Sequence, residues 1–280
     1  MDFKRIILML TLFFLIFDIY LGMRVFTQFQ ETQVRQADYQ QQSIEQRLSA
    51  RGIQLLNPLS EEALSGVLVK TEDNKVLSEA MSQLTGQTVT YDDESQTLTG
   101  TFETPLSLEG QLTNAMSVLP QETAAFIRDQ YLSQSNLFIN GQAYTQYWYL
   151  PSTKTILFWM PAQDGIPIVD GTAEIRMQLD DNFNIVSYSQ TYQSDFVPLE
   201  PETPYKLITA KQAIEVLDTR IQTNLPANAT IIYVALSYVR YKEWDEVNIY
   251  LPVWHVVYQR AEGQTGSMSV DAIKGQVLSR

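Results

Sequence analysis

The feature that most constrains this chain is an apolar run close to its N-terminus. Between Ile6 and Met23 every residue is apolar except Thr11, Asp18, Tyr20 and Gly22. A helix of this length is roughly 27 Å long, which is close to the hydrocarbon thickness of a bilayer. The run therefore predicts a single transmembrane anchor over residues 6–24.

Basic residues around the run predict its orientation. Lys4, Arg5 and the α-amino group precede it, whereas Arg24 alone lies close behind it. Because positive charge stays inside, residues 1–5 are expected in the cytoplasm and about 250 residues outside the membrane. A cleaved signal peptide is the competing interpretation, but it needs small residues at a cleavage site, and no alanine occurs before Ala37. We therefore expect a single-pass protein of the cell membrane with an extracytoplasmic C-terminal part.

Three polar or small residues of the run share one face of the predicted helix. Thr11 and Asp18 are seven residues apart, and Gly22 lies one turn beyond Asp18. An ionised aspartate at the bilayer centre costs about 2.5–3.5 kcal/mol, and small residues let another helix approach closely. This stripe predicts an interface with a partner membrane helix. The alternative is that Asp18 merely reaches the outer membrane surface beside Tyr20.

Residues 25–52 predict a helical stalk that continues out of the membrane. The segment is rich in Gln, Glu and Arg, contains no proline, and has a glycine only at its end. A 3-4-3-4 spacing typical of a coiled-coil seam runs through Val34, Ala37, Gln41, Ile44 and Leu48. A solvated helix and a helix that pairs with a partner both fit this pattern.

After Gly52 the pattern changes to short strands and turns, which predicts a first extracytoplasmic α+β domain over residues 53–200. Residues 87–104 have the pattern of a hairpin with an acidic turn, and Pro120–Leu132 that of a helix with proline near its start. Four strand signals follow, in "AYTQYWYL", "TKTILFWM", "TAEIRMQLD" and "NIVSYSQTY". A proline-rich linker is predicted at 197–206.

A second α+β domain is predicted over residues 205–280. Thr209 and Gln212 have capping-box spacing at the start of a helix, and four antiparallel strands are predicted after it. Both halves thus read as a helix followed by a strand meander. They also share a similar sequence near their ends, "LDDNFNIVS" in the first half and "VDAIKGQVLS" in the second. The predicted fold class is α+β, with two units that each have an antiparallel sheet and a helix.

Composition excludes several function classes. The chain has 19 basic and 32 acidic residues, a net charge of −13, which disfavours nucleic acid as a partner. It has no cysteine, and its one histidine, His255, alternates with Val253 and Val257 as a sheet residue does. No cofactor, metal set or catalytic group is indicated, so we expect that the protein is not an enzyme.

Two other patterns have a functional and a structural interpretation. Asp180, Asn182 and Asn184 resemble the start of a calcium loop, but Ile185 and Thr191 stand where glycine and glutamate are needed. A hairpin turn is the preferred interpretation. The aromatic residues of "YTQYWYL" and "ILFWM" could form a platform for a sugar or a peptide, although packed sheet faces are commoner.

The opening "MDFKRI", the single anchor, the Gln-rich stalk and the cysteine-free α+β exterior together resemble the YycI (WalI) family. The resemblance implies a membrane-anchored regulator without catalytic residues. Its partners would be the YycG/WalK sensor histidine kinase, which controls cell-wall metabolism genes, and the anchored protein YycH. Membrane helices are expected to mediate much of the contact, and we place the interface at Thr11, Asp18 and Gly22 from their spacing.

The C-terminal stretch "LPVWHVVYQ…SVDAIKGQV" also resembles a PepSY-type module. It has a strand with a proline–aromatic pair, followed by Val-Asp-Ala and a glycine turn. This resemblance supports an alternative function, an extracytoplasmic binding module for a peptide, a glycan or a protease.

Overall fold

A computed structural model of the protein describes residues 17, 20–23, 42–113, 116–199, 204–219, 225–244 and 246–278. Residues 1–51 and 52–280 form two separate units. In the first unit, Phe17 and Tyr20–Met23 are helical, and the rest of the predicted anchor lies outside the described residues. Within the part of the chain that is described, no helix is long and apolar enough to cross a bilayer.

Part of the predicted stalk is a short helix, α1 (Ile44–Ala50). A capping box begins it, because the Ser43 hydroxyl accepts from the Gln46 backbone and the Gln46 side chain accepts from the Ser43 backbone. Of the predicted seam, Ile44 and Leu48 are buried, and the three earlier positions lie outside the described residues.

The second unit contains an antiparallel six-stranded sheet. Its strands are β4 (Gln87–Asp92), β5 (Thr97–Leu106), β6 (Gln146–Leu150), β7 (Thr155–Trp159), β8 (Glu174–Leu179) and β9 (Ile185–Gln190). Their order across the sheet is β4-β5-β9-β8-β7-β6, so β6 forms one edge. The predicted hairpin is confirmed as β4 and β5, and the four later strand signals are confirmed as β6 to β9.

Helical segments accompany this sheet. They are α2 (Val76–Ala80), which continues as a 3-10 turn at Met81–Gln83, and α3 (Gln121–Ile127), which continues as a π-helical turn at Arg128–Leu132. Short 3-10 turns also occur at Gly141–Ala143, Pro151–Thr153 and Gln163–Gly165. The predicted helix at 120–132 is confirmed, with Pro120 as its N-cap.

Alternating apolar residues build the core of this part of the chain. Leu98 and Phe102 are buried on one face of β5. Thr99 and Thr101, which point to the other face, are exposed. The rings of Phe102, Phe138 and Tyr188 pack together, with centroid distances from 4.6 to 5.9 Å. Burial of these large rings supplies much of the hydrophobic stabilisation of the sheet.

A seven-stranded sheet contains the four predicted C-terminal strands. They are β12 (Thr230–Trp244), β13 (Val247–Gln259), β14 (Thr265–Asp271) and β15 (Val277–Leu278), paired antiparallel in chain order. The predicted four-stranded meander is therefore confirmed. The predicted helix before it is α4 (Ala210–Thr219), and its capping box is formed: Gln212 N donates to Thr209 Oγ1 at 3.2 Å, and Thr209 N donates to Gln212 Oε1 at 2.9 Å.

Three short strands from earlier in the chain complete the seven-stranded sheet. They are β1 (Gln54–Leu55), parallel to β12, β3 (Val69–Glu72), paired with β13, and β10 (Val197–Pro198), paired with β3. A separate small ladder joins β2 (Ser65–Gly66) to β11 (Tyr205–Lys206). The predicted linker at 197–206 thus has a strand at each end, and Pro198 is tolerated because β10 is an edge strand.

The two sheets meet at the segment between β7 and β8. Ile168 forms a parallel bridge with Tyr238, and Val169 N donates to Tyr238 O at 3.1 Å. The fold is α+β and dominated by its sheets. The predicted boundary between two domains falls at residues 200–203, which lie outside the described residues, so that division stays a prediction.

Both meanders end in a turn of the same construction. Asp180 Oδ1 accepts from the backbones of Asn182 and Asn184, each at 2.8 Å. Asp271 Oδ1 accepts from the backbones of Ile273 and Lys274, at 2.8 and 2.9 Å. The similar sequences near the ends of the two halves therefore form similar turns. The interpretation of Asp180 as part of a hairpin turn is confirmed.

Candidate functional site

The predicted membrane stripe is described at one position only. Thr11 and Asp18 lie outside the described residues, and Gly22 lies in the helical stretch Tyr20–Met23. A Cβ atom built on Gly22 would meet no other atom within 4 Å. The interface at Thr11, Asp18 and Gly22 stays a prediction.

His255 is a sheet residue, as its sequence pattern indicates. It lies in β13 between Ala235 of β12 and Ser269 of β14, is 8% exposed, and has Nδ1 3.4 Å from Ser269 Oγ. Over the described ranges, no three His, Cys, Asp or Glu residues are close enough together to hold a metal ion.

The predicted aromatic platform divides into a buried and an accessible part. Tyr144, Tyr149, Phe158 and Trp159 are at most 4% exposed and belong to the packed sheet faces. Tyr147 and Trp148, on the edge strand β6, remain partly exposed. Most of the pattern thus serves the core, and only the edge strand offers aromatic surface to a ligand.

Around this edge lies an accessible cavity with a largely aromatic lining, which we name the aromatic cavity. It has a volume of about 290 Å³ and is lined by Val118, Leu119, Gln146, Tyr147, Trp148, Tyr149 and Tyr233. The rings of Trp148 and Tyr233 are 4.9 Å apart and inclined by 54°. Val118, at its rim, is 62% exposed.

The walls of the aromatic cavity carry no charge at neutral pH. Burial raises the pKa of Tyr149, a shift partly offset by the positive charge of Lys154, and burial also raises the pKa of Tyr233. Both hydroxyls therefore keep their protons. Such walls suit stacking and van der Waals contact with an apolar side chain or the flat face of a sugar ring, with hydroxyl groups to orient it.

Sequence reasoning identified the β6 aromatics but missed Tyr233 and Val118. These two residues are far from β6 in the chain, and no local pattern places them beside it. Tyr233 is brought there by β12, and Val118 by the segment before α3. Contact between distant segments carries no signal in the periodicity of a single sequence.

A family model described as "YycI protein" matches residues 31–273. A search of curated proteins finds no match.

Among solved structures, one similar chain is an uncharacterized protein of Eubacterium rectale, with 12% identity, a TM-score of 0.43, and coverage of 81% of this chain and 89% of that one. The C-terminal domain of Bacillus megaterium YpeB has 10% identity, a TM-score of 0.35, and coverage of 75% and 96%. YycH of Bacillus subtilis has 13% identity, a TM-score of 0.41, and coverage of 75% of this chain and 53% of YycH.

The family match extends over most of the chain and confirms the resemblance stated from the N-terminal motif and the architecture. The chain belongs to the YycI family, whose members are regulatory proteins of the YycG/WalK two-component system.

Proposed function

We propose that this protein is a membrane-anchored regulator that binds and modulates the YycG/WalK-like sensor histidine kinase. It acts together with a YycH-like anchored protein, and much of the contact is made by the transmembrane helix. The observation that carries the proposal is the family match over residues 31–273.

The polar stripe of the anchor supports the place of contact. Asp18 is the one ionisable carboxyl group in a largely apolar run, where such a group is unfavourable unless it is compensated. A hydrogen bond to a polar residue of a neighbouring helix removes that penalty, and Gly22 one turn away lets the two backbones approach. Thr11 lies two turns before Asp18 and adds a second hydrogen-bonding group to the same face.

Binding alone does not regulate a kinase. The protein changes kinase output only if it binds one signalling state more tightly than the other, because a ligand with equal affinity for both states shifts neither. A helix interface suits this requirement, since shifts of packed helices are a recurrent way for proteins to switch between two states. Whether the protein raises or lowers kinase output depends on which signalling state of the kinase offers Asp18 the better hydrogen-bond partner.

The sharpest test is Asp18→Leu in the full-length protein. We expect normal membrane insertion and about tenfold weaker co-purification with the kinase, because a hydrogen bond between membrane helices contributes about 1–2 kcal/mol. Tyr20→Phe is the matched control, since it removes a hydroxyl near the same membrane surface but leaves the stripe intact. An Asp18→Leu protein that inserts normally and retains all of the kinase would refute the proposed interface.

Replacement of the whole span by a leucine helix tests the broader proposal. The regulator keeps its anchor and its exterior, but loses the stripe. We expect kinase-dependent transcription to change to the level of a strain that lacks the protein. Unchanged transcription would show that the membrane helix serves only as an anchor.

A second candidate function rests on the aromatic cavity. An extracytoplasmic binding module would hold an apolar peptide side chain or a glycan against Trp148 and Tyr233, whose rings contact each other at a tilt in its wall. Trp148→Ala tests it: the module predicts loss of the bound partner with Trp148→Ala and full retention with Asp18→Leu. The opposite pattern favours the membrane interface.

A further inference from the structure

The long strand β12 has an outer edge that is paired at two places and open between them. Near its start it is paired with the parallel strand β1, and Leu56 N donates to Ile231 O at 3.0 Å. Further along, Tyr238 N donates to Pro167 O at 2.8 Å in a second parallel contact. No described segment pairs with β12 on this side between the two contacts. We name residues 232–236 the open edge.

The open edge presents backbone groups that can bind another strand. Successive residues of an antiparallel strand direct their N–H and C=O groups to opposite sides. Tyr238 directs its groups away from β13, since it bonds to Pro167 and lies opposite Pro252, which has no N–H. Val234 and Leu236 follow the same alternation, and no described backbone group bonds to them on the outer side. Their two N–H and two C=O groups can therefore pair with an added chain.

Exposure and composition distinguish the open edge from a protected one. All of its residues are half-buried, whereas the positions directly before and after it, Ile231 and Ser237, are buried. Natural proteins protect edge strands with lysine, proline, a bulge or a covering element. The open edge, "IYVAL", has a bulge at its start, between Ile231 and Tyr233, but neither lysine nor proline. Such an edge favours the addition of a further strand.

A cavity lies beside the open edge next to the start of α4, and we name it the helix-side cavity. It has a volume of about 310 Å³ and is lined by the first residues of the open edge, the segment 57–60 that follows β1, Ala210 of α4, and Trp254. The indole of Trp254 is held in place, because its Nε1 donates to Ile208 O at 2.7 Å. The residues that line this cavity carry no charge, so its walls suit an apolar side chain.

The helix-side cavity and the aromatic cavity lie on opposite faces of β12. Trp254 is paired with Leu236 across the ladder, so the helix-side cavity is on the face that Leu236 shares with Val234. Tyr233 points to the other face, where its ring contacts that of Trp148 in the aromatic cavity. The aromatic cavity is also lined by uncharged residues. Because adjacent side chains of an extended chain point in opposite directions, a strand on the open edge would direct one towards each cavity.

We propose that the open edge binds an extended peptide segment of a partner protein, which adds to β12 as a short strand. Its backbone bonds to Val234 and Leu236, and adjacent apolar side chains enter the helix-side cavity and the aromatic cavity. The proposal rests on the second candidate function above and deepens it, since it names the ligand class and the way in which the ligand is held.

The neighbours of the open edge determine the chemistry of its ligand. Both existing contacts on this side of β12, those of Leu56 and Pro167, are made by the backbone of another chain segment, and an added strand continues their pairing. Ile231 and Tyr238 are seven residues apart (238 − 231 = 7), or about 23 Å at strand rise, so about five residues fit between the contacts. The centre of the peptide is uncharged, because neither cavity is lined by a charged residue.

The test uses the full-length protein in lipid nanodiscs and the fluorescence anisotropy of labelled peptides, with empty nanodiscs as the control for partitioning into lipid. The probes are capped pentapeptides, Thr-X-Z-X-Thr, in which X and Z are Val, Leu, Phe or Tyr. We expect saturable binding of at least one probe. The same peptide with Asp at both X positions should bind at least tenfold more weakly, because it brings charge into an uncharged cavity.

N-methylation of the peptide backbone distinguishes a strand from a ligand that is held by its side chains alone. A strand bonds to its neighbour through alternate residues only. The tightest probe is therefore methylated either at the nitrogen of its third residue or at those of its second and fourth residues. We expect at least a tenfold loss of affinity from one pattern and less than a threefold loss from the other.

Two variants and one control connect binding to the open edge. Val234→Pro removes an N–H that points away from β13, so we expect at least tenfold weaker binding with little change in melting temperature. Asn57→Trp fills the helix-side cavity from an exposed position and is expected to weaken binding to a similar extent. Gln130→Trp places the same side chain at an exposed position of the turn that follows α3, and should bind as the unmodified protein does.

Three results would overturn the proposal. They are binding of none of the pentapeptides at millimolar concentration, equal effects of the two N-methylation patterns, and unchanged affinity in both Val234→Pro and Asn57→Trp. Binding of a glycan that Trp148→Ala abolishes, without binding of any peptide, would refute the added strand but retain the second candidate function. None of these results bears on the membrane interface, which is tested separately through Asp18.

Discussion

At the scale of single residues, each sheet contains a glycine that is required by the tyrosine opposite it. Gly100 of β5 is paired with Tyr188 of β9, and Gly266 of β14 is paired with Tyr258 of β13. A Cβ atom on either glycine would overlap with the tyrosine across the strand. The ring therefore occupies the space that a side chain would take, a device that compensates for glycine in a strand.

Gly100→Ala is expected to destabilise the protein by about 1–3 kcal/mol, because the added methyl group forces Tyr188 out of a fully packed position. Tyr188 is 2% exposed and cannot move aside without displacing its neighbours Phe102 and Phe138. The free energy of unfolding in urea measures the effect. Thr101→Ala, at an exposed position one residue further along β5, is the control and should change it by less than about 0.5 kcal/mol.

At the scale of elements, the helix α4 shows how a local pattern determines a boundary. The capping box fixes its start, and Ala213, Ile214 and Leu217 form its buried face. In the same way, the Asp180 and Asp271 side chains fix two turns through bonds to the backbone within four residues. Hydrogen bonds from Asn184 and Asn182 lower the pKa of Asp180, so this turn loses support as the pH falls into the acid range.

Thr209→Ala is expected to reduce stability by about 1 kcal/mol, because the first turn of α4 loses the acceptor for Gln212 N. Thr209→Ser retains a hydroxyl and should restore most of the loss. Urea unfolding followed by far-ultraviolet circular dichroism measures both. Equal stability of the alanine and serine variants would show that the capping box contributes nothing in this fold.

The elements were predictable from the sequence to the extent that their signals are local. The strands β4 to β9 and β12 to β15, the helices α3 and α4, and the turn at Asp180 all follow from alternation, periodicity and turn chemistry. The pairing of β3 with β13 and the packing of Trp148 on Tyr233 do not.

At the scale of the whole molecule, buried tyrosines link stability to alkaline pH. Burial raises the pKa of Tyr144, Tyr188 and Tyr250 well above the ordinary value of 10.0. Burial, together with the negative charge of Asp164, raises the pKa of Tyr238 to about 12. The folded state therefore keeps protons that the unfolded chain releases near pH 10, and each such group favours folding fully only below that pH.

We therefore expect the urea midpoint to fall as the pH rises from about 10 towards 12, the interval between the pKa of unfolded tyrosine and that of Tyr238. Tyr238→Phe should lower stability at neutral pH, because the hydroxyl donates to Val67 O at 2.9 Å, and should make the alkaline fall shallower. Tyr241→Phe, at a position that is 60% exposed, is the control. A midpoint that stays constant up to pH 12 would contradict this explanation.

The pairing of β3 with β10 has a consequence for how the second unit is assembled. These two strands flank the entire six-stranded sheet in the chain, and their hydrogen bonds bring its entry and exit within about 5 Å of each other. The six-stranded sheet is thus inserted between two strands of the seven-stranded sheet, whose first strands are β1 and β3. Shortening or replacing the six-stranded sheet would therefore leave the path of the chain through the seven-stranded sheet continuous.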